Sequence, residues 1–274
     1  MKTKPGPEKL LRTARRAARK AGKLLMRHYG KLRASQIAKK SRNDFVTEVD
    51  KASEKLIVSE IRKEFPTHAV RGEEGGASAG DEFCWIIDPL DGTSNYIHQF
   101  PMFSISIGVQ RAGRTVAGVV YDPLHDELFA AKKGGGATLN ERRIRVSAAK
   151  QLQYGLMATG IPFRARNRFE EYMESLKTIS YGSAGMRRGG SAALDLAYVA
   201  CGRFDGFWEI NLSPWDIAAG EILILEAGGK ISDVWGKNTF LQNGDVLASN
   251  GRIHKELVRI TSRIFTLRVP GGIR

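Results

Sequence analysis

Two cysteines in 274 residues, Cys84 and Cys201, are too few for a disulfide framework. Both lie among apolar neighbours, so two buried free thiols are expected. No Cys or His spacing suits zinc, and no Ser, His and Asp arrangement suggests a nucleophilic triad. No apolar run approaches the ~20 residues that a membrane-spanning helix needs. Arg15, Arg16, Arg19 and Lys20 break up the N-terminal stretch that could have formed a secretory leader. A cytoplasmic protein with no membrane span is the expectation. Internal repeats and low-complexity linkers are missing, the hydrophobic share of 42% and charged share of 26% give no sign of disorder, and one large domain, or two closely packed halves, fits the length. Acids are scarce at one end only. Residues 1–42 hold 15 Lys or Arg and one acid, Glu8, while the remaining residues hold 28 of each sign. The net charge of +14 therefore sits in the N-terminal segment, and the bulk of the chain is no basic nucleic-acid binder.

Leu10, Leu11, Ala14, Ala17, Ala18, Ala21, Leu24 and Leu25 recur at helical spacing and predict an amphipathic helix over 8–28. Its other side is basic, with Arg12, Arg15, Arg16, Arg19, Lys20 and Lys23 expected mostly outside. Residues 31–44 read as a polar loop. Thr47 caps a second helix to about Phe65, stopped by Pro66. Strands follow at 84–87, 104–109, 115–121 and 127–131, with Gly134-Gly135-Gly136 as a loop, and this meander favours an antiparallel sheet. The second half mixes strands at 156–161, 203–210 and 246–249 with helices at 168–178, 191–201, 214–227 and 253–265. Mixed order of elements makes the class layered α+β.

Acids at strand ends and helix starts carry the chemistry. In Asp88-Pro89-Leu90-Asp91-Gly92-Thr93-Ser94-Asn95 two carboxylates leave a buried strand on one tight turn, stiffened by Pro89. Paired carboxylates suit hard cations such as Mg²⁺, which prefer oxygen ligands. Gly92 allows close backbone approach, and Thr93 adds a hydroxyl and an N–H. Gly72-Glu73-Glu74-Gly75-Gly76 is a second acidic element, Trp215-Asp216-Ile217-Ala218-Ala219-Gly220 a third, and Asp44…Thr47…Asp50 a fourth. Taken singly, each also reads as a solvated turn or a helix-start acid. All four together, in one chain, point to a metal site beside an anion cradle.

These four elements, with Glu226-Ala227-Gly228-Gly229, resemble the inositol monophosphatase family and are closest to its bacterial members. The resemblance spans about residues 8–260. It implies an αβαβα sandwich, a homodimer, two to three Mg²⁺ ions (Mn²⁺ as a substitute) and inhibition by lithium. The whole chain 1–274 would form one such domain. The half 1–150 would carry the metal motifs and the half 151–274 the substrate-side residues. By the same resemblance Glu73, Asp88 and the Leu90 carbonyl would hold one metal, and Asp88, Asp91 and Asp216 a second. Glu73 would also help hold a third. Glu73 and Thr93 would orient the attacking water, with Asp50 behind Thr93. Asp91, Gly92, Thr93, Gly190, Ser191, Ala192 and Glu209 would meet the substrate, a small phosphorylated polyol, most directly inositol 1-phosphate. Fructose bisphosphate, histidinol phosphate and a 3′-phosphoadenosine nucleotide are the alternatives on the same fold. Lys39 or Lys40 could face the phosphate or simply be solvated, and Arg187-Arg188 could serve a dimer contact or the substrate loop. A different class of reading is a binding module, whose basic N-terminal helix would dock RNA or an acidic partner in a salt-sensitive way.

Overall fold

Leu10, Leu11, Ala14, Ala17, Ala18, Ala21 and Leu25 are buried along one stripe of α1 (Pro7–His28), as their spacing predicts. The computed structural model describes residues 5–41, 44–161 and 165–266, side chains at 39–41 and 44 excepted. The expected loop after α1 is a hairpin instead, β1 (Ile37–Ser41) paired antiparallel with β2 (Asp44–Thr47). Its Ile-Ala-Lys-Lys-Ser sequence lacks the apolar alternation that signals a strand. The Lys39, Lys40 and Asp44 side chains lie outside the described residues. Thr47 then caps α2 (Glu48–Glu64): its hydroxyl accepts from the Val49 and Asp50 N–H groups, and Asp50 accepts in return from the Thr47 N–H at 2.9 Å.

Eight strands form the larger sheet. β3 (Ala69–Gly72), β4 (Gly76–Ser78) and β5 (Phe83–Asp91) precede the short helix α3 (Thr93–Ile97). β6 (Ser104–Arg111), β7 (Arg114–Asp122), β8 (Glu127–Lys132), β9 (Gly136–Leu139) and β10 (Arg142–Arg143) complete it in the order β10-β9-β8-β7-β6-β5-β3-β4. From β5 onward it is the antiparallel meander expected; β3 adds one parallel pair to β5. Gly136 opens β9 rather than ending a loop.

The smaller sheet is of mixed direction. Its elements are β11 (Leu156–Thr159), α4 (Phe169–Gly182), β12 (Gly185–Arg187), α5 (Ala192–Ala200), β13 (Gly206–Glu209), α6 (Pro214–Glu226), β14 (Lys230–Ser232), α7 (Phe240–Asn243), β15 (Val246–Ser249) and α8 (His254–Ile264). The order is β12-β11-β13-β15-β14, with β11 parallel to both β12 and β13. α1 and α2 cover one face of the large sheet, α5 and α6 lie between the sheets, and α4 and α8 cover the far face of the small one. That is a layered α+β architecture in αβαβα order. α6 comes close to the large sheet because Gly108 and Gly118 make room. A Cβ on Gly108 would stand 2.7 Å from the Ala218 Cβ.

Two expectations need correction. Cys84 and Cys201 are half-buried rather than buried. Cys84 is the one position of β5 not fully covered, beside Arg71, and Cys201 is the residue that caps the end of α5. The basic face of α1 is also less free than its sequence suggests. Arg16 and Lys20 bind Glu60, Arg16 also binds Glu64 at 2.6 Å, and Arg19 binds Asp126 at 3.0 Å. Arg15 and Arg16 are only partly exposed.

Candidate metal centre

β5 carries the site through an irregularity. Its pairing sets Asp88 opposite Ser106 and Asp91 opposite Ser104, so β5 holds one residue more than β6 between these points. In a regular strand residues three apart face opposite sides. Pro89 cannot donate to the ladder, and the extra residue forms a bulge that turns the two acids to one side. The strand therefore runs on through Asp91, where a turn after Ile87 was expected. Asp216 arrives from the first turn of α6. Carboxylate oxygens of Asp88, Asp91 and Asp216 lie within 4.8 Å of one another.

Hydrogen bonds aim each acid. Asp88 Oδ1 accepts the Leu90 N–H at 3.0 Å. Asp91 Oδ2 accepts the Ser191 hydroxyl at 2.5 Å and the Ala193 N–H at 2.8 Å. Asp216 Oδ2 accepts the Ser213 N–H at 2.7 Å in a capping box. Such caps are each worth ~1 kcal/mol to a helix end. Here they also fix the planes of the site carboxylates. The Thr93 hydroxyl lies 3.0 Å from Asp50 Oδ1 and 3.0 Å from the Leu90 carbonyl oxygen.

Burial sets the proton affinities. It pushes Asp91 up to about 6, against the pull of the Ser191 and Ala193 hydrogen bonds. Burial, then the charges of Glu73, Asp91 and Asp216, hold Asp88 well above the usual carboxylate range. Burial likewise lifts Asp50 to about 6, opposed by its Thr47 and Thr93 hydrogen bonds. Like charges crowded out of water favour a bound cation.

The acids open into a cleft of about 160 Å³. Glu73, Asp88, Leu90, Asp91, Gly92, Thr93, Gly190, Ala192, Glu209 and Asp216 all line it, so segments from both sheets converge. Two expected residues lie behind it. Ser191 is fully buried, holding Asp91 and capping α5, and Asp50 is buried behind Thr93. Arg188 lines the cleft and Arg187 does not. Glu209 lies over Gly160, where any Cβ would meet its carboxylate at 2.1 Å.

Sequence reasoning missed three contributors. The Asn95 amide donates to the Met102 carbonyl at 2.7 Å and the Gly189 carbonyl at 2.9 Å, tying the α3 turn to the loop before α5. Gly160 provides the space for Glu209. Asp195 is buried under Gly189, and burial plus the charges of Glu209 and Asp91 hold it well above the usual range. An acid in the first turn of the apolar helix at 191–201 was the available signal for it.

Known proteins share this arrangement of chain. A protein of Pseudomonas aeruginosa named Nus factor SuhB is 46% identical over 255 residues, covering 91% of this chain and 94% of its own. The inositol-1-monophosphatase of Mesorhizobium japonicum is 42% identical over 261 residues, covering 94% and 98%. The crystal structure of extragenic suppressor protein suhB from Bartonella henselae superposes with a TM-score of 0.90 at 41% identity, covering 93% of this chain and 98% of that one. Among the described residues, no helix is long and apolar enough to cross a membrane. The profile of the inositol monophosphatase family matches residues 7–265, and the chain belongs to that family.

Proposed function

We propose that this protein is a Mg²⁺-dependent phosphatase for small phosphate monoesters, with inositol 1-phosphate as the preferred substrate. The observation that carries the reading is the convergence of Asp88, Asp91 and Asp216 within 4.8 Å in a buried cleft. The donor set fits the metal: hard carboxylate oxygens, and among the described residues lining the cleft one cation, Arg188, against five acids. Glu73, Asp88 and the Leu90 carbonyl would hold one ion, and Asp88, Asp91 and Asp216 another. Mn²⁺ would serve in its place. Bound there, two such ions supply neutralisation of the phosphate and activation of water for an in-line displacement.

The chain's own groups do the positioning. Glu73 and Thr93 orient the attacking water on the side of phosphorus opposite the ester oxygen. Asp50 acts through Thr93, because it is buried behind that residue and 3.0 Å from its hydroxyl. The new P–O bond forms to water as the bond to the alcohol oxygen breaks, and the alcohol leaves with a proton. Glu209, at the end of β13, accepts hydrogen bonds from polyol hydroxyls, while Gly190 and Ala192 offer backbone to the substrate. Kinship also supports a homodimer, which solution mass measurement would check. A docking role for α1 toward RNA or an acidic partner is the lesser reading. Arg16, Arg19 and Lys20 are already engaged by Glu60, Glu64 and Asp126.

The test is a panel of inositol 1-phosphate, fructose bisphosphate, histidinol phosphate and 3′-phosphoadenosine nucleotide, ranked by kcat/KM with and without Mg²⁺. Inositol 1-phosphate should lead, and lithium should inhibit. Turnover indifferent to Mg²⁺ would sink the reading, and another leading substrate would replace its last clause.

A further inference from the structure

Helix α2 offers three polar side chains, from its first two turns, to segments that carry the cleft residues. Asp50 reaches Thr93, and Ser53 donates to the Pro89 carbonyl at 3.0 Å. Both contacts brace the β5 bulge. Glu54 does something different. Its Oε2 accepts the Glu74 N–H at 2.9 Å and its Oε1 accepts the Gly75 N–H at 2.6 Å. Those two N–H groups belong to the turn after β3, the turn that carries Glu73.

The same carboxylate also fills the space beside two glycines. A Cβ on Gly72 would stand 2.4 Å from Glu54 Oε2, and one on Gly75 would stand 2.6 Å from Oε1. Neither glycine has the positive φ that would itself demand glycine. What crowds a Cβ at both positions is the Glu54 carboxylate, which would have to move from its hydrogen bonds to admit one. Glu54 is 6% exposed, so its two oxygens meet the turn with little competition from water. Two N–H donors need two acceptors. An ionised carboxylate provides both, and hydrogen bonds to a charged acceptor are the stronger kind.

We propose that Glu54 is a positioning residue for Glu73. By clamping the Glu74 and Gly75 N–H groups it fixes the turn that presents Glu73 to the cleft, and so sets the affinity for Mg²⁺. The proposal rests on the reading of Glu73 as a metal ligand. Glu54 touches neither metal nor substrate. α2 then braces both halves of the metal site, the bulge through Asp50 and Ser53 and the acidic turn through Glu54.

The test is Glu54→Gln, which keeps the shape but replaces one acceptor with an NH₂ that opposes an N–H. Mg²⁺ is titrated calorimetrically into metal-free wild type, Glu54→Gln, Gly75→Ala and Asp88→Asn. The expected result for Glu54→Gln is Mg²⁺ affinity lower by about tenfold, in line with the loss of a group that orients a ligand. Turnover should return close to the wild-type value at saturating Mg²⁺, with the metal-concentration requirement raised instead. Gly75→Ala, at an exposed position, should shift affinity the same way by crowding Oε1. It decides the matter if Glu54→Gln fails to fold. A purely structural Glu54 would lower Tm and leave Mg²⁺ affinity within about twofold of wild type, which overturns the proposal. A deficit that vanishes at high salt would be long-range charge, and overturns it as well. If wild type itself takes up no Mg²⁺, the metal-site reading fails and this inference with it. If Asp88→Asn loses binding while Glu54→Gln and Gly75→Ala bind like wild type, only this inference fails.

Discussion

Glu60, in the seam between α1 and α2, and Asp91, in the cleft, are both largely shielded from water, with 5% and 8% of their surfaces exposed. The fold treats them in opposite ways. Glu60 accepts from Lys20 at 2.8 Å, Lys63 at 2.5 Å and Arg16 at 3.2 Å. Those hydrogen bonds, led by Lys20 and Lys63, pull its carboxyl down to about 2. Asp91 has a hydroxyl and an N–H as partners and acids as neighbours, and burial drives it up to about 6. The chain has ample cations, yet among the described residues several gather at the seam while Arg188 is the one cation lining the cleft. An acid already neutralised by lysine contributes to the fold, whereas an acid left without a counter-charge is destabilising until an ion arrives from outside.

Asp88→Asn tests the cleft side most severely. Asp88 is common to both proposed ion sites, and asparagine is nearly isosteric and can still accept the Leu90 N–H. Turnover at saturating Mg²⁺ should fall by at least about a hundredfold. Metal-free Tm should rise, because a buried like charge has gone. A variant that is both active and no more stable would erase the distinction between the two kinds of acid.

Glu209→Gln probes the rim of the cleft, where no ion is proposed. A lost hydrogen bond to a charged acceptor costs about 1.5–3 kcal/mol, roughly ten- to a hundredfold in kcat/KM. The loss should appear for inositol 1-phosphate and not for a simple aryl phosphate. Equal losses for both substrates would mean that Glu209 serves the metal wall instead.

Why the metal wall was legible and its supports were not follows from distance along the chain. Asp88, Asp91 and Asp216 stand in short local motifs; helical periodicity located α1, cap and stop residues located α2, α5 and α6, and apolar or alternating runs located the meander. Nothing local marks β1, β3, β4 or β12, each only three to five residues long and poor in apolar alternation. The parallel pairing of β11 with β12 and β13 joins segments that no turn signal connects. Glu54 meets Glu74 and Gly75 from 20 and 21 residues away, and Ser191 meets Asp91 from 100. Such contacts are fixed by how layers stack. The bulge at Pro89 was half visible: proline marked an interruption, and only the register showed its direction.

Mg²⁺ and protons should compete in the cleft and not at the seam. Folded-state values of Asp91 and Asp50 near 6 lie above their unfolded values. Their cost to the metal-free fold is therefore absent below the unfolded values and complete above about 6. Mg²⁺ relieves the Asp91 share of it directly, and only when that acid is ionised. At pH 7.5 and about a hundred times Kd, Mg²⁺ should raise Tm by about 5 °C or more. The rise should shrink by more than half at pH 5.5, as thermal unfolding with and without Mg²⁺ would show. A pH-independent rise would place the ion elsewhere.

The smallest effect belongs to the seam. Glu60 sits below its unfolded value, so the stability it contributes is present above the ordinary glutamate value of 4.5 and is lost as pH falls toward about 2. Its partners Arg16, Lys20 and Lys63 have side chains 36%, 49% and 62% exposed, so solvent screening discounts the pairing. Glu60→Gln keeps one acceptor oxygen and should cost only about 1 kcal/mol at pH 7, or roughly 2–4 °C in Tm. The gap between variant and wild type should narrow as pH drops from 6 to 3.5, and should also narrow in 1 M salt. Mg²⁺ titration of the variant should match wild type, because neither Glu60 nor its partners Arg16, Lys20 and Lys63 line the cleft. A gap that widened in acid would mean that the Glu60 carboxyl is held up, as in the cleft, and that the lysines around it do not govern its charge.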